Sequence, residues 1–449
     1  MSSSNRVVNE FAAAVREADG KLIDVAGTGL NTGGQLDIQT AEMDDILHNC
    51  RDGKLLSRDA ALALVNAQGD ELTELLAAAA ALRDQHKGRT VTYSPKVFVP
   101  LTNLCRDFCG YCTFRKAPDE PGAKTMTIDE VLGVVRQGKA LGCTEVLFSL
   151  GDKPEAIYPE MKAFLAERGH QRTLDYLHEA CRVTLEETGL LPHANAGVMG
   201  RGDLQRLKEV NPSMGLMLES VSERLMLAGA AHDNAPDKKP AVRLRTLELA
   251  GQLRIPFTTG ILIGIGENWP ERIDSLFAIR ELHERYGHIQ EVIVQNFRAK
   301  ATIPMRAHPD ATQNDMVKTI ALARLILGGT MNIQAPPNLT PDGYELYLDA
   351  GINDWGGVSP LTPDFINPEA PWPALRMLQE KSAQAGFELK ARLPIYPEYI
   401  SQGEKYLPAN VRSYIELLCD ADGYVKGGGP LGISPSLHHS ITPSVPGLS

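Results

Sequence analysis

VFVPLTNLCRDFCGYCTF, residues 97–114, holds three of the chain's seven cysteines, Cys105, Cys109 and Cys112, in a C-x3-C-x2-C spacing. The run 97–101 before them is β-branched and apolar, the pattern of a buried strand. A loop leaving that strand gathers three thiolates around one point. Three thiolates are one short of the set that closes a structural zinc site or an ordinary four-cysteine iron–sulfur cluster. A 4Fe-4S cluster on only three cysteines keeps one iron open to a small molecule. A partial zinc site, or a disulfide with a spare thiol, is the other reading of the triplet. No Cys-x2-Cys pair follows downstream, as zinc fingers require.

Outward from this stretch, strands and helices alternate. Strand patterns recur at 145–150, 192–196, 214–218, 257–263, 291–296, 332–336 and 354–358. Between them lie helical patterns, the first opened by a capping box, Thr127 to Glu130, with Met126 and Val131 placed for a hydrophobic staple. The others cover 160–187, 204–210, 242–253, 270–286, 316–327, 344–350 and 374–385. Eight strand–helix units predict an α/β fold, a (βα)8 TIM-type barrel over residues 91–393, with an open doubly wound sheet as the structural alternative. A barrel of this kind works at the C-terminal ends of its strands, and the cysteine loop leaves that end of the first.

Before the barrel, residues 1–45 are rich in Ser, Asn and Gly and are expected to be loosely ordered. Residues 46–90 read as a helical extension capping the catalytic body. Ser57 is its N-cap, AALALVNAQG (60–69) a helix stopping near Gly69, and 71–86 a second helix. Cys50 lies here and reads as a buried thiol, not a ligand. After the barrel come a closing segment, 394–420, and a flexible tail, 421–449, whose His438 and His439 read as a surface pair.

The net charge of −11 disfavours nucleic acid and anionic membranes as partners. The N-terminus lacks the basic start and apolar core of a signal peptide. The longest apolar stretches, such as 75–82, fall far short of the roughly 20 residues that span a bilayer. Clustered thiols in an odd total argue for a reducing compartment, hence a soluble cytoplasmic protein.

The triplet, with Tyr111 before its last cysteine, resembles the radical S-adenosylmethionine enzymes. That resemblance implies a 4Fe-4S cluster on Cys105, Cys109 and Cys112. Its open iron would chelate the amino and carboxylate groups of S-adenosylmethionine, and one electron would release a 5′-deoxyadenosyl radical. In FSLGDKPE (148–155), Gly151 and Pro154 match the family's Gly-Gly-Glu-type turn for the methionine amine, with Asp152 and Lys153 replacing its second glycine and acid. Gly151 and Asp152 are therefore candidates for that contact. LMLES (216–220) offers Glu219 for the ribose hydroxyls, an ion pair with Arg224 being the ordinary alternative. GILIGIGE (260–267) resembles the family's G-x-I-x-G-x-x-E segment with Leu262 for the isoleucine, which implies Gly260, Gly264 and Gly266 near adenine and Glu267 in the turn.

TYSPKVFVPLTNLCRDFCGYCTF (92–114), LFSLGDKPE (147–155), VIVQNFRAK (292–300) and IQAPPNL (333–339) narrow the resemblance to the deazariboflavin synthases, specifically their cyclising half. The activity implied is cyclisation of 5-amino-5-(4-hydroxybenzyl)-6-(D-ribitylimino)-5,6-dihydrouracil. Ammonia is lost, and the product is 7,8-didemethyl-8-hydroxy-5-deazariboflavin, the chromophore of coenzyme F(420). The partners implied are a hydroxybenzyl-transferring radical S-adenosylmethionine enzyme, which supplies the tyrosine-derived adduct, and a one-electron donor. One triplet holds one cluster, which suits a stand-alone subunit or one half of a fused bifunctional chain. Asn296, Arg298, Asn338 and Asp354, at the expected ends of strands six to eight, are candidates for the uracil edge and ribityl hydroxyls. The competing functions are the tyrosine-using partner activity and a non-catalytic metal-cluster scaffold.

Overall fold

The computed structural model describes residues 43–50 and 53–428. Its centre is a ring of parallel strands, β1 (Thr90–Thr102), β2 (Glu145–Leu150), β3 (Leu191–Asn195), β4 (Ser213–Gly215), β5 (Phe257–Ile263), β6 (Ile289–Asn296), β7 (Ile333–Gln334) and β8 (Asp354–Val358). Neighbours pair in chain order from β2 to β8, β8 pairs with β1, and β1 returns to β2. The ring is closed, which rules out the open doubly wound sheet. Apolar strands with both faces covered suit this arrangement, and FTTGILI of β5 is buried at every position.

β1 is longer than the apolar run 97–101 because its two halves have different neighbours. Its second half pairs with β2, while Thr90–Tyr93 pairs with an extra strand outside the ring, β9 (Glu388–Ala391). ELKA is short and polar, so β9 gave no periodic signal. The capping box at Thr127 is formed in both directions and opens Ile128–Ala140. The 160–187 pattern divides into Pro159–Ala166 and Thr173–Thr188.

Ser57 caps Arg58–Leu64 by accepting from Ala60 N. That helix does not reach Gly69, which instead opens Gly69–Lys87, where Asp70 and Glu71 favour a helix start. Gly69–Lys87 packs on the outer wall against Gln313–Leu327. Arg83 donates to the carbonyls of Leu348 and Ile352, just ahead of β8. The extension thus lies at the strand-start end, away from the cysteines.

After β9 the chain passes beneath the barrel. The Pro394 carbonyl accepts from Ser213 Oγ at 2.6 Å and Gln290 Nε2 at 2.9 Å, and the Tyr399 and Tyr406 hydroxyls reach Gly287 O. Two expected boundaries shift: residues 43–50 are helical, and Val425 N bonds Ala391 O at 2.9 Å, so the start of the expected tail is tied to β9. The remainder of 1–45 and 421–449, including His438 and His439, lies outside the described residues. Among the described residues no helix is long and apolar enough to cross a membrane.

His288, fully buried before β6, is pulled down from the ordinary histidine range to about 3 by that burial. An unfolded chain binds the proton below about 6.5 where the folded one does not, so this group removes up to about 1.4 kcal/mol of stability per pH unit on acidification. Replacing it isolates the effect from Asp107 and Asp349, carboxyls raised to about 6 by burial, which titrate with the opposite sign. The stability of His288→Leu relative to wild type should therefore rise as pH falls from about 6.5 to 5 in urea titrations. A pH-independent difference would contradict this.

Candidate active site

β1 delivers the cysteine loop at the mouth of the barrel, and the loop is fastened on three sides. Gly151 N donates to Thr102 O at 2.9 Å and Arg106 N to Asp152 O at 3.1 Å, joining it to the exit of β2. Phe108 N and Gly110 N donate to Asn234 O and Ala231 O, and Met305 N donates to Gly110 O. Cys105, Cys109 and Cys112 line one cavity of about 250 Å³. Cys105 Sγ accepts from Asp107 N at 3.4 Å and Asp152 N at 3.2 Å. Burial pushes the Cys105 thiol up to about 12 and raises Cys109 as well. Without a metal these groups stay protonated, whereas the iron of a cluster would hold them as thiolates, the form that N–H donors aimed at sulfur stabilise. The donor set fits an iron–sulfur cluster.

Gly151 is where the β2 exit meets the loop. A Cβ there would overlap the Leu104 carbonyl oxygen and lie 2.6 Å from Cys105 Cβ, so only glycine permits the contact. Asp152 lines the cavity; its carboxylate accepts from Val198 N at 2.9 Å and pairs with Lys153 at 3.0 Å. With Asp107 and Asp237 it forms a buried carboxylate cluster that sequence inspection missed, since its members come from three separate loops. Arg106 binds Asp237 through two nitrogens and Lys153 bridges Asp152 to Asp237, making this an ion-pair brace under the cysteine loop. Tyr111 lines the cavity, its hydroxyl 3.2 Å from His232 Nε2.

Glu219 also lines the cavity, but not in an ion pair with Arg224, which binds Glu271 instead. Its partners are Lys238 at 2.5 Å and Arg243 at 3.7 Å. Burial alone would raise the Glu219 carboxyl, yet these two cations hold it below the usual range and ionised. Neither cation was singled out in the sequence, because both sit after the irregular segment that follows Glu219. The three glycines in and after β5 are spent on the backbone: a Cβ on Gly260 would overlap Ile293 O, and Gly264 and Gly266 have positive φ in the turn. Glu267 accepts from Gly264 N and Ile265 N and pairs with Arg272 at 2.6 Å, locking that turn. From β5, Leu262 faces the cavity.

Of the four substrate candidates, Asn296 and Arg298 line the cavity. Asn296 is 4% exposed and its Oδ1 has no hydrogen-bond partner. Arg298 donates to Leu339 O at 3.0 Å. Of the other two, Asn338 keeps its place after β7 and Asp354 is corrected. Asn338 holds the loop after β8, donating to Asp364 at 3.0 Å and Ala370 O at 3.2 Å. Asp354 is the first residue of β8, at the end opposite the mouth, where Arg392 binds it at 2.6 Å.

Residues 99–279 match the Radical SAM superfamily. The chain is 49% identical over 336 residues to the 7,8-didemethyl-8-hydroxy-5-deazariboflavin synthase of Methanopyrus kandleri, covering 75% of this chain and 100% of that protein. It is 49% identical over 405 residues to the FO synthase of Mycobacterium tuberculosis, covering 86% of this chain and 47% of that one. It thus spans about half the length of the FO synthases it matches. Among solved structures, the FeFe-hydrogenase maturase HydG of Carboxydothermus hydrogenoformans shares the fold with a TM-score of 0.64 at 18% identity, over 92% of this chain and 95% of that one. Methylornithine synthase (PylB) does so at 0.60 and 20%, over 77% and 97%. Membership of the superfamily implies a 4Fe-4S cluster and S-adenosylmethionine, for which the cysteine loop has the right donors. By near-half identity across a complete relative, the chain belongs to the 7,8-didemethyl-8-hydroxy-5-deazariboflavin synthase family of radical S-adenosylmethionine enzymes.

Proposed function

We propose that this chain is the cyclising deazariboflavin synthase, an ammonia-releasing lyase acting on 5-amino-5-(4-hydroxybenzyl)-6-(D-ribitylimino)-5,6-dihydrouracil. One observation carries the reading: the cavity beneath the three thiols continues into the barrel, its two parts sharing Ser149, Asn195, Met217 and Gln295. A substrate can therefore lie enclosed in the barrel with its reacting carbon facing the cysteines.

Cys105, Cys109 and Cys112 are the proposed ligands of the cluster. When bound, the cluster and S-adenosylmethionine supply one-electron chemistry, a hydrogen-abstracting 5′-deoxyadenosyl radical. The chain binds, orients and encloses. Gly151 and Asp152 present the β2 exit to the methionine amine. Glu219, kept ionised by Lys238 and Arg243, accepts from the ribose hydroxyls. Tyr111 and Leu262 flank the adenine, with Gly260 letting β5 pack on β6 and Gly264 and Gly266 shaping the turn beyond it. Asn296 and Arg298 meet the substrate from β6. The apolar part of the lining, Leu150, Leu216, Leu262 and Phe297, limits water at the radical steps.

A partner hydroxybenzyl-transferring radical enzyme supplies the adduct, either as a separate chain or as the other half of a longer one, and a one-electron donor reduces the cluster. We further take the chain as a helical extension that includes residues 43–50, a catalytic barrel that starts with β1 at Thr90, and a closing segment that runs past 420 to include Val425.

Asn296→Ala should raise KM for the adduct about ten-fold, the cost of a lost hydrogen bond in a buried site, with iron content unchanged. An unaltered KM would remove Asn296 from the site. The function itself is tested by offering reduced, cluster-loaded protein, supplied with S-adenosylmethionine, two substrate sets. The preformed adduct should give fluorescent deazaflavin, and tyrosine with 5-amino-6-ribitylaminouracil should give nothing. Formation of the uncyclised adduct from the second set would assign the chain to the partner activity.

A further inference from the structure

Below the cysteine cavity the barrel opens into a second chamber of about 180 Å³. Interiors of such barrels are ordinarily filled by branched apolar side chains. The floor here is Lys96, Glu145, His193, Glu291, Gln334 and Arg392. Glycines make the room: a Cβ on Gly357 would overlap Lys96 Cε, one on Gly356 would overlap Gln334 Nε2, and one on Gly215 would lie 3.0 Å from His193 Nε2.

Burying so many polar groups is costly unless each finds a partner. Lys96 pairs with Glu145 at 2.8 Å and Arg392 with Glu291 at 2.8 Å. His193 differs. The single Ser213 hydroxyl proton goes to Pro394 O at 2.6 Å, so Ser213 Oγ must accept from His193 Nδ1 at 2.8 Å. Burial keeps the imidazole neutral, pulling it down to about 4. Its Nε2 is then an unprotonated acceptor on a ring that lines the chamber.

We propose that this chamber seats the ribityl chain of the substrate, with His193 Nε2 accepting a hydrogen bond from one of its hydroxyls. The inference rests on the deazaflavin reading above. A polyol offers a donor and an acceptor at each hydroxyl, matching a floor where cations alternate with carboxylates and a neutral acceptor. A phenol or a uracil edge would leave most of that floor unmatched. Phe98 and Trp372, stacked with centroids 5.2 Å apart, line the same chamber with Leu147 and Ile293, an apolar belt for the ring that carries the ribityl chain.

The test is a fluorescence titration of the cluster-loaded protein with two compounds. One is 7,8-didemethyl-8-hydroxy-5-deazariboflavin, and the other carries a methyl group in place of ribityl. Wild type should prefer the ribityl compound by about ten-fold or more, and His193→Leu should remove about ten-fold of that preference while leaving methyl-compound affinity unchanged. His193→Gln, which keeps an acceptor, should retain part of it. Gln334→Met touches neither ion pair and carries the test if His193→Leu does not fold; it should also narrow the preference. Equal affinities in wild type, or variants that weaken both compounds alike, would overturn the proposal and leave the floor purely structural. If wild type binds neither compound, the deazaflavin reading falls, and this inference with it.

Discussion

Gly151→Ala should strip the protein of its cluster. The added Cβ meets the Leu104 carbonyl oxygen and, at 2.6 Å, Cys105 Cβ. The Leu104 carbonyl is main chain and cannot swing aside like a side-chain tip. Relief requires separating the β2 exit from the cysteine loop, and that breaks the Gly151 N–Thr102 O bond of 2.9 Å and the Asp152 N–Cys105 Sγ contact of 3.2 Å. Groups that orient metal ligands are typically worth about 10–100-fold in metal affinity or activity. Iron content and visible absorbance after anaerobic reconstitution should fall on that scale, with the barrel still folded by circular dichroism. Full iron loading would show that the loop tolerates the displacement.

Arg392→Met should have the largest effect on stability. Arg392 is 2% exposed and binds Asp354 at 2.6 Å and Glu291 at 2.8 Å. Removing the guanidinium leaves two buried carboxylates without a counter-ion, a loss of about 3–5 kcal/mol. Burial already raises Glu291 despite Arg392. In the variant Glu291 should bind its proton more tightly folded than unfolded, so acidification from about pH 7 to 5 should shrink the deficit. Urea unfolding at the two pH values measures both effects. A deficit below about 1 kcal/mol at pH 7 would mean that water or a neighbouring cation replaces the arginine.

The barrel was legible because most strand positions are buried and strands such as β5 announce themselves as apolar runs; β2, β5 and β8 have the bounds their sequences suggest. β9 was not, since four residues pairing on one side need no such run. At the site, the cysteines, Gly151 and Glu219 could be found because each is local to a strand end. Lys238, Arg243 and Asp237 could not, because what brings them there is the fold of the segment between Glu219 and β5. Asp354 was misplaced for a geometric reason: a polar residue next to a strand reads alike at either end, and only the strand direction separates mouth from floor. The polar floor itself was hidden because its members are single residues on five strands and the segment after β9, brought together only in three dimensions.

The most direct measurement is the yield of deazaflavin and of ammonia from the preformed adduct. It uses this chain alone, reduced and supplied with S-adenosylmethionine under anaerobic conditions. Equal amounts of the two products, both lost in Cys109→Ala, are the expected result. Tyrosine consumption with the adduct left intact, or a loaded cluster that forms neither product, would contradict the assignment.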